Sequence, residues 1–220
     1  MTQTSTQGTN RRGALKAKAY SVLKQNILGG YYPPGSFLSE RMLVSELNMS
    51  KTPIRSALER LESEGFVSVS PQQGIFVREP SLREIIDQFE IRFALEAYVL
   101  RTISGKLTEA QVNRARENLI AQRSAAERED LEESINLDGD FHLMFCEFLG
   151  NREILAVMTA LREKIFWLIW LVFHKDQRRM RPNWQEHQQI SEAAVSGDAQ
   201  GAVRLLEQHF EYGKRALLNR

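Results

Sequence analysis

Cysteine is nearly absent from the chain. The one residue, Cys146, rules out an internal disulfide and fits a reducing compartment, so a cytoplasmic location is expected. Long apolar runs are missing too. The longest, Ile165–Phe173, has nine residues, well short of the roughly 20 that a membrane-crossing helix needs, so no membrane partner is expected. An element apolar on all sides is instead a buried one, and this run is expected as the central helix of a core, with Trp167, Trp170 and Trp184 as core residues. Residues 1–12 are polar and lack the apolar centre of a secretion signal; they are expected as a disordered tail. No repeat or low-complexity tract is visible. An excess of one charge is also lacking: the net charge is +1, which alone points to no polyanionic partner. The charge is uneven, however. Residues 1–80 carry 10 Lys/Arg against 6 Asp/Glu, and the other 140 carry 19 against 22. A mildly basic small domain thus precedes a mildly acidic larger one, which suits an electrostatic nucleic-acid footprint.

What is present is most informative between Leu38 and Val77. Leu38, Leu43, Val44 and Leu47 recur at helical spacing, and Asn48, which tolerates a left-handed backbone, ends that helix. Ser50 is an N-cap candidate for a second helix, and Pro53 is acceptable in its first turn. Ile54, Ala57, Leu58 and Leu61 form its buried stripe, and Gly65 follows it. Phe66, Val67 and Val69, then Ile75, Phe76 and Val77, fit a small hairpin. With an earlier helix over 14–29, this order predicts a winged helix-turn-helix. The start of the second helix of such a motif faces base edges in the major groove. Here it carries Ser50, Lys51, Thr52 and Arg55. Lys51 and Arg55, one turn apart, can donate to guanine O6 and N7, and Ser50 and Thr52 to phosphate oxygens. Such charges alone would read as a solvated helix face; the turn, the cap and the trailing hairpin favour DNA.

Residues Tyr31–Val77 closely resemble the DNA-binding domain of the GntR family of bacterial transcription regulators. The resemblance is carried by Pro34-Gly35, Leu38-Ser39-Glu40, Ser50-Lys51-Thr52-Pro53-Ile54-Arg55, Ala57-Leu58, Arg60-Leu61, Glu64-Gly65 and Gly74 with Val77. It implies DNA contacts from Arg41, Lys51 and Arg55, and from a wing tip at Gln73 and Gly74 entering the minor groove. Two positions depart from the usual pattern. Lys51 stands where arginine is common, which removes a planar bidentate fork, and Gln73 stands where a basic residue is frequent.

From Leu82 onward only helical patterns occur, broken at Gly105, Gly150-Asn151, Pro182 and Gly197. Six helices are expected, at 82–104, 108–128, 131–149, 152–175, 182–196 and 199–218, with caps at Thr108 and Asp198. The fold class is therefore mainly α: a winged helix-turn-helix domain (13–78), a linker (79–81) and an antiparallel all-α bundle (82–220). On the third bundle helix Leu131, Ile135, Asp138, His142, Phe145 and Leu149 form one seam. A buried carboxylate needs a partner: a base, a hydrogen-bond network or a metal. His187 and His209 also fall on inward stripes, whereas His174 is expected at the surface. Each buried histidine alone would more often be a hydrogen-bonded core residue. Three of them with an aspartate, on three helices, suit Zn, Ni, Mn or Fe, and no thiolate set suggests a closed structural zinc site.

Residues 82–220 resemble the FCD effector-binding domain of the FadR-type subfamily, in its six-helix, VanR-like version. The matching features are Glu90-Ile91-Arg92 with Leu95-Glu96, Asp138 with Phe141-His142, Gly150-Asn151, Glu186-His187 with Ile190, and His209-Phe210. The resemblance implies a divalent metal, zinc first among the candidates, held by Asp138, His142, His187 and His209. Arg92 lies on the inward seam of its helix. It either pairs with Glu96 one turn on or clamps the carboxylate of a small organic acid effector, and both can hold in different states. The expected function is a homodimeric transcription regulator, in the commoner mode a repressor, on a pseudo-palindromic operator. Two alternatives are a metal-dependent hydrolase, for which no HExxH motif supplies a base, and a regulator with a purely structural metal.

Overall fold

The computed structural model describes residues 5–70 and 74–218, and of residues 5–12 and Glu163 the backbone alone. The chain forms two compact units, Met1–Pro80 and Ser81–Arg220.

The first unit comprises α1 (Ser5–Leu28), β1 (Phe37–Leu38), α2 (Glu40–Glu46), α3 (Lys51–Ser63), β2 (Val67–Ser70) and β3 (Gly74–Val77). Helix α1 packs along α3, and Leu23 and Ile27 are buried with Ile54, Ala57, Leu58 and Leu61. Asn48 makes the turn between α2 and α3 at a φ of 49°. The strands form an antiparallel sheet in the order β1-β3-β2, with Leu38 and Val69 both opposite Ile75. Leu38 therefore belongs to a strand and not to the preceding helical stripe. Ser39 behind it is the N-cap, its hydroxyl accepting from the Met42 N–H. A two-residue strand has no period of its own, so nothing in its pattern distinguishes it from a helix start. The tail expected over residues 1–12 is corrected from Ser5 on: residues 5–12 continue α1. A turn anchored by Ala19 and Leu23 meets the nucleation cost, and each further residue adds one backbone hydrogen bond without needing packing. Residues 1–4 lie outside the described residues.

Helix α1 is also tied to the end of α3 by charge. The buried Lys24 ammonium donates to Glu64 Oε2 at 2.6 Å, the Tyr20 hydroxyl donates to the same carboxylate at 2.8 Å, and Arg60 Nε donates to Oε1 at 3.0 Å. Burial acts to raise the Glu64 pKa, but these three donors together hold it below the usual value.

The second unit contains α4 (Leu82–Ile103), α5 (Glu109–Glu127), α6 (Leu131–Leu149), α7 (Arg152–Lys175), a 3-10 turn (Gln177–Arg179), α8 (Met180–Ser196) and α9 (Ala199–Leu218). Capping boxes of Ser81 with Glu84 and Thr108 with Gln111 start α4 and α5, and the Asp198 carboxylate accepts from the Gly201 N–H at the start of α9. Helix α8 begins two residues before Pro182, which sits in its first turn, where an N–H has no helical acceptor to lose. Helix α9 packs on α4 and α8, α6 on α7, and α5 on both α6 and α8. Ile165–Phe173 of α7 is buried or half-buried throughout. Trp167 and Trp170 are core residues as expected, but Trp184 is only half-buried, with Arg123 over its ring. His174 is exposed and stacks on Trp170. Among the described residues no helix is long and apolar enough to cross a membrane.

Candidate metal centre and DNA-reading face

Four buried side chains meet inside the second unit. Asp138 and His142 come from α6, His187 from α8 and His209 from α9, and one ligand atom of each lies within 4.8 Å of the others. The i, i+4 spacing on α6 points Asp138 and His142 the same way. Each imidazole is then fixed by the partner of its Nδ1. His142 Nδ1 lies 2.5 Å from Glu96 Oε2, His187 Nδ1 2.8 Å from Gln122 Oε1, and His209 Nδ1 2.7 Å from Glu186 Oε2. The Gln122 amide is itself oriented, because its Nε2 donates to Asn118 Oδ1 at 2.6 Å; its oxygen must face His187. All three Nδ1 atoms therefore donate, which leaves each Nε2 with a bare lone pair.

That tautomer assignment exposes an electrostatic problem. His187 Nε2 and His209 Nε2 face each other at 3.4 Å with no proton between them, and His187 Nε2 lies 3.6 Å from an Asp138 oxygen. Asp138 Oδ2 and His142 Nε2 are buried without any hydrogen-bond partner. A cluster of lone pairs out of water is strongly unfavourable unless a cation sits among them. The residues thus fit a divalent metal, and their carboxylate and amide partners are the outer-shell groups that orient histidine ligands. Protonation does not relieve the cluster. Burial, then the positive charge of His209 and His142, pushes His187 far below the usual imidazole pKa; burial lowers His209 as well, against its bond to Glu186. Burial would raise Glu96, but His142 and Arg92 hold it at about 2.

Beyond this shell lie two arginines. Arg92 Nε donates to Glu96 Oε1 at 3.1 Å, and Arg179 Nη2 donates to Glu186 Oε2. Their guanidinium groups lie over the rings of Phe210 (4.4 Å) and Tyr212 (3.9 Å) of α9. Both are at most 3% exposed, and each keeps one nitrogen, Arg92 Nη2 and Arg179 Nη1, without a partner. Arg92 thus makes the salt bridge and still has donor capacity left. Arg179, Asn183, Glu96 and Gln122 escaped the reading of the sequence as site residues. Asn183 donates to Asp138 Oδ1 at 2.7 Å. Glu96 was legible only as the partner of Arg92, and Arg179 sits in a polar Gln-Arg-Arg run that looks like surface. A large groove of about 670 Å³ lies between α5 and α8, but none of the quartet lines it.

In the first unit, Arg41, Ser50, Lys51, Thr52 and Arg55 are all exposed. Ser50 occupies the N-cap position of α3, yet its hydroxyl makes no capping bond. Arg55 pairs with Glu40 of α2 at 2.7 Å, a surface contact that holds little energy. Gly74 has a φ of 100°, and a Cβ there would lie 2.4 Å from the ring of Phe37, so the wing requires glycine for its own geometry. Gln73 lies outside the described residues.

Residues 15–77 match the family described as bacterial regulatory proteins, gntR family, and residues 87–212 match the FCD domain. The chain belongs to the GntR family of DNA-binding transcription regulators. Its C-terminal half is of the FadR-type FCD architecture. The HTH-type transcriptional repressor RspR of Escherichia coli K12 is 27% identical over 193 residues, spanning 87% of this chain and 84% of that protein. An HTH-type transcriptional regulator of Streptomyces ambofaciens is 30% identical over 203 residues, 91% and 82% of the two chains. The fold matches the crystal structure of a GntR regulator from Rhodococcus sp. RHA1, with a TM-score of 0.78 at 21% identity over 93% of this chain and 97% of the other. The families and relatives of this GntR protein are regulators and not enzymes.

Proposed function

We propose that this GntR regulator is a cytoplasmic, homodimeric repressor whose operator binding is modulated by a small organic acid at a metal-bearing FCD domain. The observation that carries the sensing half is the buried set of unpaired lone pairs on Asp138, His142, His187 and His209. These four residues hold the ion, with zinc first and Ni, Mn or Fe compatible with the same donors. Nickel, manganese or iron held by these four residues would take a further oxygen donor from a bound ligand, and zinc would do so by expanding beyond four ligands. Glu96, Gln122 and Glu186 keep the imidazoles in the ligating tautomer, Asn183 orients Asp138, and Arg92 donates to the effector carboxylate. RspR carries the name of a repressor, which supports that sign for this chain.

The DNA half rests on the exposed start of α3. Lys51 and Arg55 read bases, Arg41, Ser50 and Thr52 contact phosphate, and Gln73 and Gly74 form the wing tip. Two copies address half-sites about one DNA turn apart. The effector shifts operator affinity only by its differential affinity for the two states. The domains are residues 13–78 and 82–220, joined by 79–81. Replacing Lys51 and Arg55 with alanine tests the reader. Loss of specific operator binding with an unchanged melting profile is expected, each contact contributing about 1–3 kcal/mol; unaltered affinity would refute it.

A further inference from the structure

Beside the quartet is a small, partly open cavity of about 30 Å³. Arg92 and Arg179 both line it, with Asp138, Asn183 and His209. Each guanidinium already faces its own carboxylate, Arg92 to Glu96 and Arg179 to Glu186, and each retains one buried nitrogen with no acceptor. Their charge is therefore neutralised within the protein, whereas part of their donor capacity is not. The charged groups around the site are three carboxylates (Asp138, Glu96, Glu186) and two guanidiniums (Arg92, Arg179), a balance of one negative charge. Imidazoles bind a metal in their neutral form. A divalent ion turns the balance into one positive charge.

We infer that the cavity is built for a small monoanion, a short monocarboxylic acid bearing a third oxygen as hydroxyl or keto group, in preference to a dicarboxylate. The inference rests on the metal-binding reading above. One carboxylate neutralises the single excess charge. A second would stand without a partner among side chains that are themselves buried, which is unfavourable. The acceptor count points the same way. Two unpartnered guanidinium nitrogens ask for the two oxygens of one carboxylate, and an ion that expands beyond its four protein ligands would take the hydroxyl or keto oxygen as a third. The small volume excludes long chains unless the walls part.

The test titrates the zinc-loaded full-length protein with propionate, lactate and malonate by calorimetry, with metal content measured after each titration. Among these three-carbon acids, lactate adds one hydroxyl to propionate, and malonate replaces the methyl of propionate with a second carboxylate. Lactate is expected to bind at least about 10-fold more tightly than either. Glu186→Gln removes one negative charge but keeps an acceptor for His209, so malonate should gain at least about 10-fold relative to lactate. Glu96→Gln on α4 shifts the charge balance the same way and serves if the first variant does not fold. Zinc uptake with malonate binding as tightly as lactate, or with none of the acids bound, overturns the charge assignment and leaves the metal site standing. Failure to take up zinc, nickel, manganese or iron overturns the metal reading and this inference together.

Discussion

At the scale of single residues, an imidazole ligates only through the nitrogen that carries no proton, so the group at its far side decides its role. Gln122 does this for His187 from a different helix. Gln122→Leu keeps the bulk and removes the acceptor. Metal affinity is expected to fall roughly 10–100-fold while the far-ultraviolet dichroism is unchanged; competition with a colorimetric chelator measures it. In the other unit, Glu64 receives three donors. Glu64→Gln should destabilise that unit by about 2 kcal/mol, the range for hydrogen bonds to a charged group. The sign with pH follows from its lowered pKa. The contribution is complete above the unfolded glutamate value and disappears as pH falls through the folded one. Denaturant midpoints at neutral pH should therefore separate wild type from variant, and those in strong acid should converge.

At the scale of elements, helices with a strong apolar stripe were legible in the sequence. The seam through Asp138 and His142 on α6 and the apolar run of α7, both readable from spacing alone, form two walls of the site. What escaped was set by tertiary contact. The strand at Phe37–Leu38 exists because β3 offers it an edge. Gln122 lies on α5, where inward positions are small or polar, such as Ala115, Ala125 and Ala126, and give no stripe. The breakers Gly105 and Gly197 were visible as helix ends, but not as a joint. Both have positive φ, and they meet back to back, a Cβ on Gly105 falling 3.1 Å from the Gly197 Cα. Gly105→Ala adds left-handed strain to that contact, at about 1–2 kcal/mol. A melting point lowered by several degrees, with metal affinity retained, is the expected result of a thermal scan.

At the scale of the molecule, two compact units divide the work: the exposed face of α3 in one and the buried quartet in the other. A ligand that binds only the folded second unit stabilises that unit alone, by about 2.7 kcal/mol at 100 times its dissociation constant, or roughly 5–10 °C for a domain of this size. The most direct measurement is differential scanning calorimetry of chelator-stripped protein, with and without zinc, on wild type and on His187→Ala. A rise confined to the transition of the helical unit, and lost in His187→Ala, is predicted. No rise in wild type, or an equal rise in the variant, would contradict the metal centre on which the account depends.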